Sequence, residues 1–159
     1  MNSLFLTDGY KTSHNKQYPE GTTLVFSNFT PRSDNHANEG LKNKGVVVFG
    51  IQYMLKVLKE HFDKNFFMAQ EREALSLMSL SLYNEHIEKL KRNKIDEIKK
   101  EFSLYLGMEY DTTHFEELWD LGYLPIEVRA LAEGTISPIK VPVLTVHNTL
   151  PEFYWVTNY

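Results

Sequence analysis

Apolar and polar residues alternate near the N-terminus, which is the period of a β-strand. The alternation predicts a strand over residues 22–30, and the short apolar run 46–49 predicts a second one. Before them a short helix is predicted over residues 10–18, with Thr7 or Asp8 in the position that caps it. The N-terminal part of the chain is therefore expected to combine a short helix with two strands.

From Ile51 the apolar residues recur every three or four positions, which is the period of an α-helix. Four helices are predicted, one that starts at Ile51 and three over residues 69–90, 94–106 and 113–121. Gly107 and Gly122 follow the last two helices, at the position where a glycine commonly ends a helix.

In the last part of the chain apolar and polar residues alternate again, with the period of two that is typical of a β-strand. Strands are predicted over residues 124–131, 135–137 and 143–147, and Pro151 marks the start of a helix whose end is missing at Tyr159. The whole pattern predicts an α+β fold, in which an antiparallel sheet is built from the N-terminal strand and the 124–147 strands. The expected organisation is strand and helix over 1–50, a helical insertion over 51–121, and antiparallel strands with the start of a helix over 122–159.

Composition and charge narrow the class of protein. The chain has 159 residues, of which 42% are apolar and 24% charged, as in a globular domain. A formal net charge of −4 argues against a dedicated nucleic-acid binder. No apolar run exceeds four residues, far fewer than the roughly 20 that a membrane span needs, and no signal peptide is recognised. The absence of cysteine excludes disulfides and thiolate metal sites, and it fits a cytoplasmic location.

Few motifs carry chemistry. The chain has no glycine-rich phosphate loop, no zinc-protease motif and no serine nucleophile motif. No two of its six histidines are three or four residues apart, so a helical histidine pair for a metal is excluded and no metal site is predicted. The 10 phenylalanines, 9 tyrosines and two tryptophans are many for one small domain, and we expect some of them to face a partner surface.

Asp8, Tyr10 and Arg32 are the candidate binding residues. Tyr10 offers a flat ring for stacking, and Asp8 offers an acceptor for an amide or ring N–H. Spacing alone favours the structural alternative, in which Asp8 caps the helix and Tyr10 packs in a core. Arg32 follows Pro31 at a strand end, where it suits bidentate pairing with a phosphate, although a solvated surface arginine is the simpler interpretation.

Several motifs in order resemble the nicotinamide phosphoribosyltransferase family. They are Thr7–Lys11 with His14 and Lys16–Pro19, then Phe49–Tyr53, Leu124–Gly134 and Val146–Asn158. The resemblance spans the chain but matches only the N-terminal region of that enzyme, which is about three times longer. It implies an incomplete part of a type II phosphoribosyltransferase-like fold, and an enzyme that transfers phosphoribosyl from phosphoribosyl pyrophosphate to nicotinamide in NAD salvage.

The resemblance also implies roles for the candidate residues. Asp8 and Tyr10 would approach nicotinamide from the neighbouring subunit of a homodimer, and Arg32 would contact the phosphates of the sugar substrate. No catalytic residue is assigned to this chain, which is expected to be inactive alone. Mg²⁺ with phosphoribosyl pyrophosphate, and ATP as a further candidate ligand, are expected in the complete enzyme, with no cofactor held by this part.

Two alternatives stay open from the sequence. The first is the N-terminal part of a nicotinate phosphoribosyltransferase, a sister enzyme that acts on the acid instead of the amide. The second is a non-catalytic dimerisation module. An acceptor at Asp8 would favour the amide, because a nicotinate carboxylate would be repelled at close range.

Overall fold

The structure is a computed structural model that describes residues 2–159. It confirms the α+β class. The α-helices are α1 (Ile51–Asn65), α2 (Ala69–Leu75), α3 (Leu80–Leu106) and α4 (Thr113–Leu121). The strands are β1 (Phe26–Phe29), β2 (Val46–Val47), β3 (Ile126–Ala130), β4 (Ile136–Ser137) and β5 (Leu144–Asn148). The 3-10 helices are Ser3–Phe5, Gly9–Lys16, Glu39–Leu41 and Pro151–Asn158.

The chain divides into two compact units. One contains residues 58–124 together with the N-terminal residues up to Leu6, and the other contains residues 7–57 and 125–159. The first unit is helical, and all the strands lie in the second. The candidate binding residues Asp8, Tyr10 and Arg32 all belong to the second unit.

An aromatic cluster forms the core of the helical unit. The ring of Phe102 is fully buried, with its centroid 4.3 Å from that of Phe5, 4.7 Å from that of Tyr110 and 5.4 Å from that of Phe115. These rings come from the N-terminal 3-10 helix, α3, α4 and the segment before α4. Much of the aromatic content of the chain is therefore used within this unit.

Among the α-helices, the boundaries differ from the prediction in one place. Residues 69–90 and 94–106 were expected to form two helices, but α3 runs without a break from Leu80 to Leu106, and the break lies instead at residues 76–79. Ser79 takes the extended conformation that precedes α3, although its side chain makes no capping hydrogen bond, and serine is poorly suited to a helix interior. Lys94 continues the helix and forms a 2.7 Å ion pair with Glu97, one turn later. The predicted ends at Gly107 and Gly122 are confirmed, since both have positive φ angles.

A three-stranded antiparallel sheet is the centre of the second unit. Its order is β1-β5-β3, so β5 lies in the middle, and Phe26, His147 and Glu127 are aligned across it. The predicted pairing of the N-terminal strand with the C-terminal strands is thereby confirmed.

The strand β4 was expected in the same sheet, and that prediction is wrong. It pairs with β2 in a separate two-stranded sheet. Pro138 follows β4 directly, and proline has no N–H with which to extend a ladder. The close pairing also requires Gly45, because a Cβ there would lie 2.4 Å from the carbonyl oxygen of Ser137.

The side chain of Asn148 joins three segments of the second unit. It is 4% exposed, its Oδ1 accepts from the Val25 N–H at 2.8 Å, and its Nδ2 donates to the carbonyls of Thr23 (2.9 Å) and Leu150 (2.8 Å). These bonds tie the segment before β1 and the start of the Pro151–Asn158 helix to the end of β5. A buried side chain that satisfies three backbone groups is costly to replace, because each group would be left without a partner.

We predict that Asn148→Asp destabilises the chain by about 2–5 kcal/mol, since a carboxylate cannot donate to the two carbonyls and would be buried. The free energy of unfolding, measured by chemical denaturation, tests this. Asn93→Asp is the matched control, because Asn93 is exposed on α3 and gains the same charge. Equal stability of the two variants would contradict the role given to Asn148.

Candidate functional site

The Gly9–Lys16 helix presents its residues with a period of three, because it is a 3-10 helix. Thr12 is buried and donates to the carbonyl of Gly9 at 2.7 Å. Tyr10, Ser13 and Lys16, which follow one another at intervals of three, are exposed. The short period therefore directs the side chain of Tyr10 outwards.

The Pro151–Asn158 helix anchors this N-terminal helix within the same unit. Asn158 Nδ2 donates to the hydroxyl of Tyr18 at 3.1 Å, and the ring of Tyr18 meets that of Tyr154 edge to face at 5.2 Å. The hydroxyl of Thr7 donates to the carbonyl of Tyr159. Contacts on both sides of the Gly9–Lys16 helix thus fix the segment that carries Asp8 and Tyr10.

Asp8 and Tyr10 form a pair that is open to solvent. The Tyr10 hydroxyl donates to Oδ2 of Asp8 at 3.2 Å, and the tyrosine side chain is 64% exposed. The interpretation that spacing alone favoured is wrong in both parts. Asp8 stands at the cap position but makes no capping hydrogen bond with its side chain, and Tyr10 does not pack in a core. Neither side chain is therefore committed to holding the fold together.

Electrostatics connect Arg32 to this pair. The hydrogen bond to Asp8, with the negative charge of that carboxylate, raises the pKa of Tyr10 above its ordinary value of 10.0, and the positive charge of Arg32 acts weakly in the opposite direction. All three candidate residues belong to the same compact unit.

Arg32 is exposed and lines an open cavity of about 560 Å³. The cavity is lined by Asn28, Phe29, Thr30, Pro31, Arg32 and Lys140. Within residues 2–159, neither Arg32 nor Lys140 has an acidic partner. Two basic side chains on one concave surface, without carboxylates to neutralise them, suit an anion.

Two neighbours of the candidate residues were not predicted. Lys140 lies between the predicted strands 135–137 and 143–147, where a basic residue in a turn is a signal that could have been used. His14 was noted only as part of a motif, and its ring centroid lies 5.4 Å from that of Tyr10. The spacing of four between these two rings was the available signal.

A second cavity of about 440 Å³ in the same unit is apolar. Phe29, Val47, Phe49 and Met54 are among its lining residues, and Phe49 is 83% exposed. Some aromatic side chains are thus exposed, as the composition suggested. That they face a partner stays a prediction.

Among residues 2–159, no group of three or more histidine, cysteine, aspartate or glutamate side chains is placed to hold a metal ion. Over the same residues, no helix combines the length and apolar character that a membrane crossing requires.

A family model described as the nicotinamide phosphoribosyltransferase N-terminal domain matches residues 2–87, which is more than half of the chain. The chain belongs to the nicotinamide phosphoribosyltransferase family. The resemblance drawn from the sequence motifs is therefore confirmed. The matched segment contains Asp8, Tyr10 and Arg32, while their individual roles stay predictions.

Two curated relatives carry the name nicotinamide phosphoribosyltransferase. The protein of Acinetobacter baylyi is 37% identical over an alignment of 163 positions, which covers all of this chain. The protein of Xanthomonas campestris pv. campestris is 25% identical over 160 aligned residues, which cover 99% of it. The chain spans only 28% and 27% of the length of these two relatives.

We predict that Asp8→Ala lowers the pKa of Tyr10 towards or below its ordinary value, because it removes the hydrogen bond and the negative charge that raise it. A ¹³C NMR titration of the tyrosine rings measures this. Tyr110 is the internal control, because burial in the helical unit raises its pKa to about 12 independently of Asp8. An unchanged Tyr10 pKa would show that the two side chains do not interact in solution.

Proposed function

We propose that this chain is the N-terminal part of an enzyme that transfers phosphoribosyl from phosphoribosyl pyrophosphate to nicotinamide, giving nicotinamide mononucleotide for NAD biosynthesis. The observation that carries the proposal is the exposed pair of Asp8 and Tyr10, which lies inside the segment that matches the family domain. The proposed enzyme is cytoplasmic, and the chain is an incomplete part of a type II phosphoribosyltransferase-like fold.

Tyr10 and Asp8 together suit a flat pyridine amide. The exposed ring of Tyr10 offers a face for stacking, which holds the pyridine plane while leaving its ring nitrogen free to react. The carboxylate of Asp8 accepts one bond from Tyr10 and, with about four acceptor positions, retains capacity for an amide N–H of the substrate. A nicotinate carboxylate would meet a like charge at the same place.

Arg32 suits the other substrate. A guanidinium binds phosphate oxygens in a bidentate manner, and its positive charge stabilises the pyrophosphate that departs when the pyridine nitrogen attacks the anomeric carbon. The transition state has oxocarbenium character, so the groups of this chain would act by orienting the two substrates and by balancing charge. None of the three residues is proposed to exchange a proton.

A homodimer is part of the proposal. A stacking ring that is 64% exposed needs a second surface to enclose a substrate. We propose that the rest of the pocket belongs to a neighbouring subunit, to which this chain lends Asp8 and Tyr10. The chain alone would then lack turnover, because one side of the site is missing from it.

We predict that Tyr10→Ala in the complete enzyme raises KM for nicotinamide about tenfold or more, since stacking on an aromatic ring contributes roughly 1–3 kcal/mol per base. Tyr10→Phe should stay near wild type, because it keeps the ring. Lys16→Ala is the matched control, as its side chain is exposed on the same helix face. Steady-state kinetics with nicotinamide as the varied substrate provide the measurement, and an unaltered KM in Tyr10→Ala would overturn the stacking role.

Asp8→Asn, tested in parallel with nicotinamide and nicotinate, examines substrate choice. We expect the ratio of kcat/KM for nicotinamide to kcat/KM for nicotinate to fall, because the charge that repels the acid is gone. A variant that keeps its full preference would contradict the role of Asp8. A wild-type enzyme that turns over nicotinate faster would identify the sister activity, and a complete protein that dimerises without turnover of either substrate would identify a non-catalytic module.

A further inference from the structure

Lys140 has an unusual backbone conformation. It is the third residue of a tight turn closed by a hydrogen bond from the Val141 N–H to the Pro138 carbonyl, at 3.3 Å, and its φ is +68°. A positive φ at this position belongs to turns in which glycine or asparagine is preferred, because the Cβ of other residues crowds the backbone. Lys140 therefore adopts a backbone conformation that is unfavourable for a residue with a side chain of this kind.

The backbone around Lys140 is fixed to the strand that leads to Arg32. The Lys140 N–H donates to the carbonyl of Pro31 at 2.8 Å, and the Val143 N–H donates to the carbonyl of Phe29 at 3.0 Å. These two bonds hold the turn alongside the end of β1, one residue away from Arg32. Both basic residues consequently line the same cavity.

The lining of the cavity around the two cations contains no acidic residue, and Phe29 and Pro31 make part of it apolar. Asn28 and Thr30 line the cavity beside them, with the Thr30 hydroxyl donating to Oδ1 of Asn28 at 2.6 Å. Residues strained in this way often serve a binding role, since the fold otherwise favours a less strained residue. The strain and the paired charges thus point to the same function.

We propose that Lys140 and Arg32 together form a two-cation site for a phosphate group, with Arg32 as the planar fork and Lys140 as a point charge. The inference rests on the proposed function, in which Arg32 contacts the phosphates of the sugar substrate, and it adds Lys140 as a second contact. The ligand is either the pyrophosphate or the 5-phosphate of that substrate, which share the same chemistry.

Isothermal titration of the chain with inorganic pyrophosphate, and separately with ribose 5-phosphate, tests the proposal. We expect Lys140→Gly to weaken binding of the preferred ligand about tenfold or more, as the loss of one charge-assisted hydrogen bond would. Glycine accepts the positive φ, so the melting temperature of this variant should stay close to that of wild type. Reduced affinity without reduced stability would separate binding from folding.

Three further variants complete the test. Lys140→Met should lose affinity as Lys140→Gly does, and Lys140→Arg should retain it. Lys44→Met is the matched control and should bind like wild type, because Lys44 is exposed in the same unit but does not line the cavity. The ligand whose Kd rises more in Lys140→Gly, either pyrophosphate or ribose 5-phosphate, identifies which phosphate the site prefers.

Two results would overturn the proposal. Wild-type binding by Lys140→Gly, with weak binding by Arg32→Ala, would exclude Lys140 and leave the role of Arg32 intact. Failure of the wild-type chain to bind either ligand at millimolar concentration would exclude the two-cation site. Neither result touches the proposed role of Asp8 and Tyr10 in binding nicotinamide, which the kinetics of the Tyr10 variants test independently.

Discussion

The buried side chain of Asn148 supplies the constraint on which the geometry of the proposed site depends. Its three hydrogen bonds hold the segment before β1 and the Pro151–Asn158 helix at the end of β5. The Gly9–Lys16 helix is then anchored through Tyr18 and Thr7 to the Pro151–Asn158 helix. A helix as short as Gly9–Lys16 would be only marginally stable by itself. The position of the Asp8 and Tyr10 pair therefore depends on the buried side-chain amide of Asn148.

In the Gly9–Lys16 helix, different residues stabilise the fold and face the solvent. A period of three places Thr12 inside and Tyr10 outside, so one segment can anchor itself and still present a ring to solvent. Asp8 remains available for a ligand because its side chain does not cap the helix and bonds to Tyr10 instead. Exposed aromatic and acidic groups that do not stabilise their own unit are typical of a binding surface.

The sequence was sufficient for the elements whose pattern is local. The period of three to four predicted α1 and α4, and Gly107 and Gly122 marked two helix ends. The polar stretch at residues 91–93 favoured a break there, so the continuity of α3 was not predicted. The low helix propensity of the serines at 76 and 79, where the break lies, was given too little weight. The pairing of β4 with β2 was not predictable from alternation, which does not specify partners.

The prediction of the binding residues depended more on the resemblance to a known family than on the pattern of residues along the chain. Spacing favoured a cap and a core position for Asp8 and Tyr10, and the family motifs shifted the prediction towards ligand binding. Lys140 was outside both lines of reasoning, because its importance comes from a turn conformation and from a neighbour, Arg32, more than a hundred residues earlier in the chain. Such a juxtaposition exists only in the folded unit.

The most direct test of the central claim is a crystal structure of the complete enzyme with nicotinamide bound. We expect the pyridine ring to stack on Tyr10 of the partner subunit, with the amide nitrogen within hydrogen-bond distance of a carboxylate oxygen of Asp8. A nicotinamide bound elsewhere, with Tyr10 still facing solvent, would contradict the claim that this exposed pair forms part of the substrate pocket.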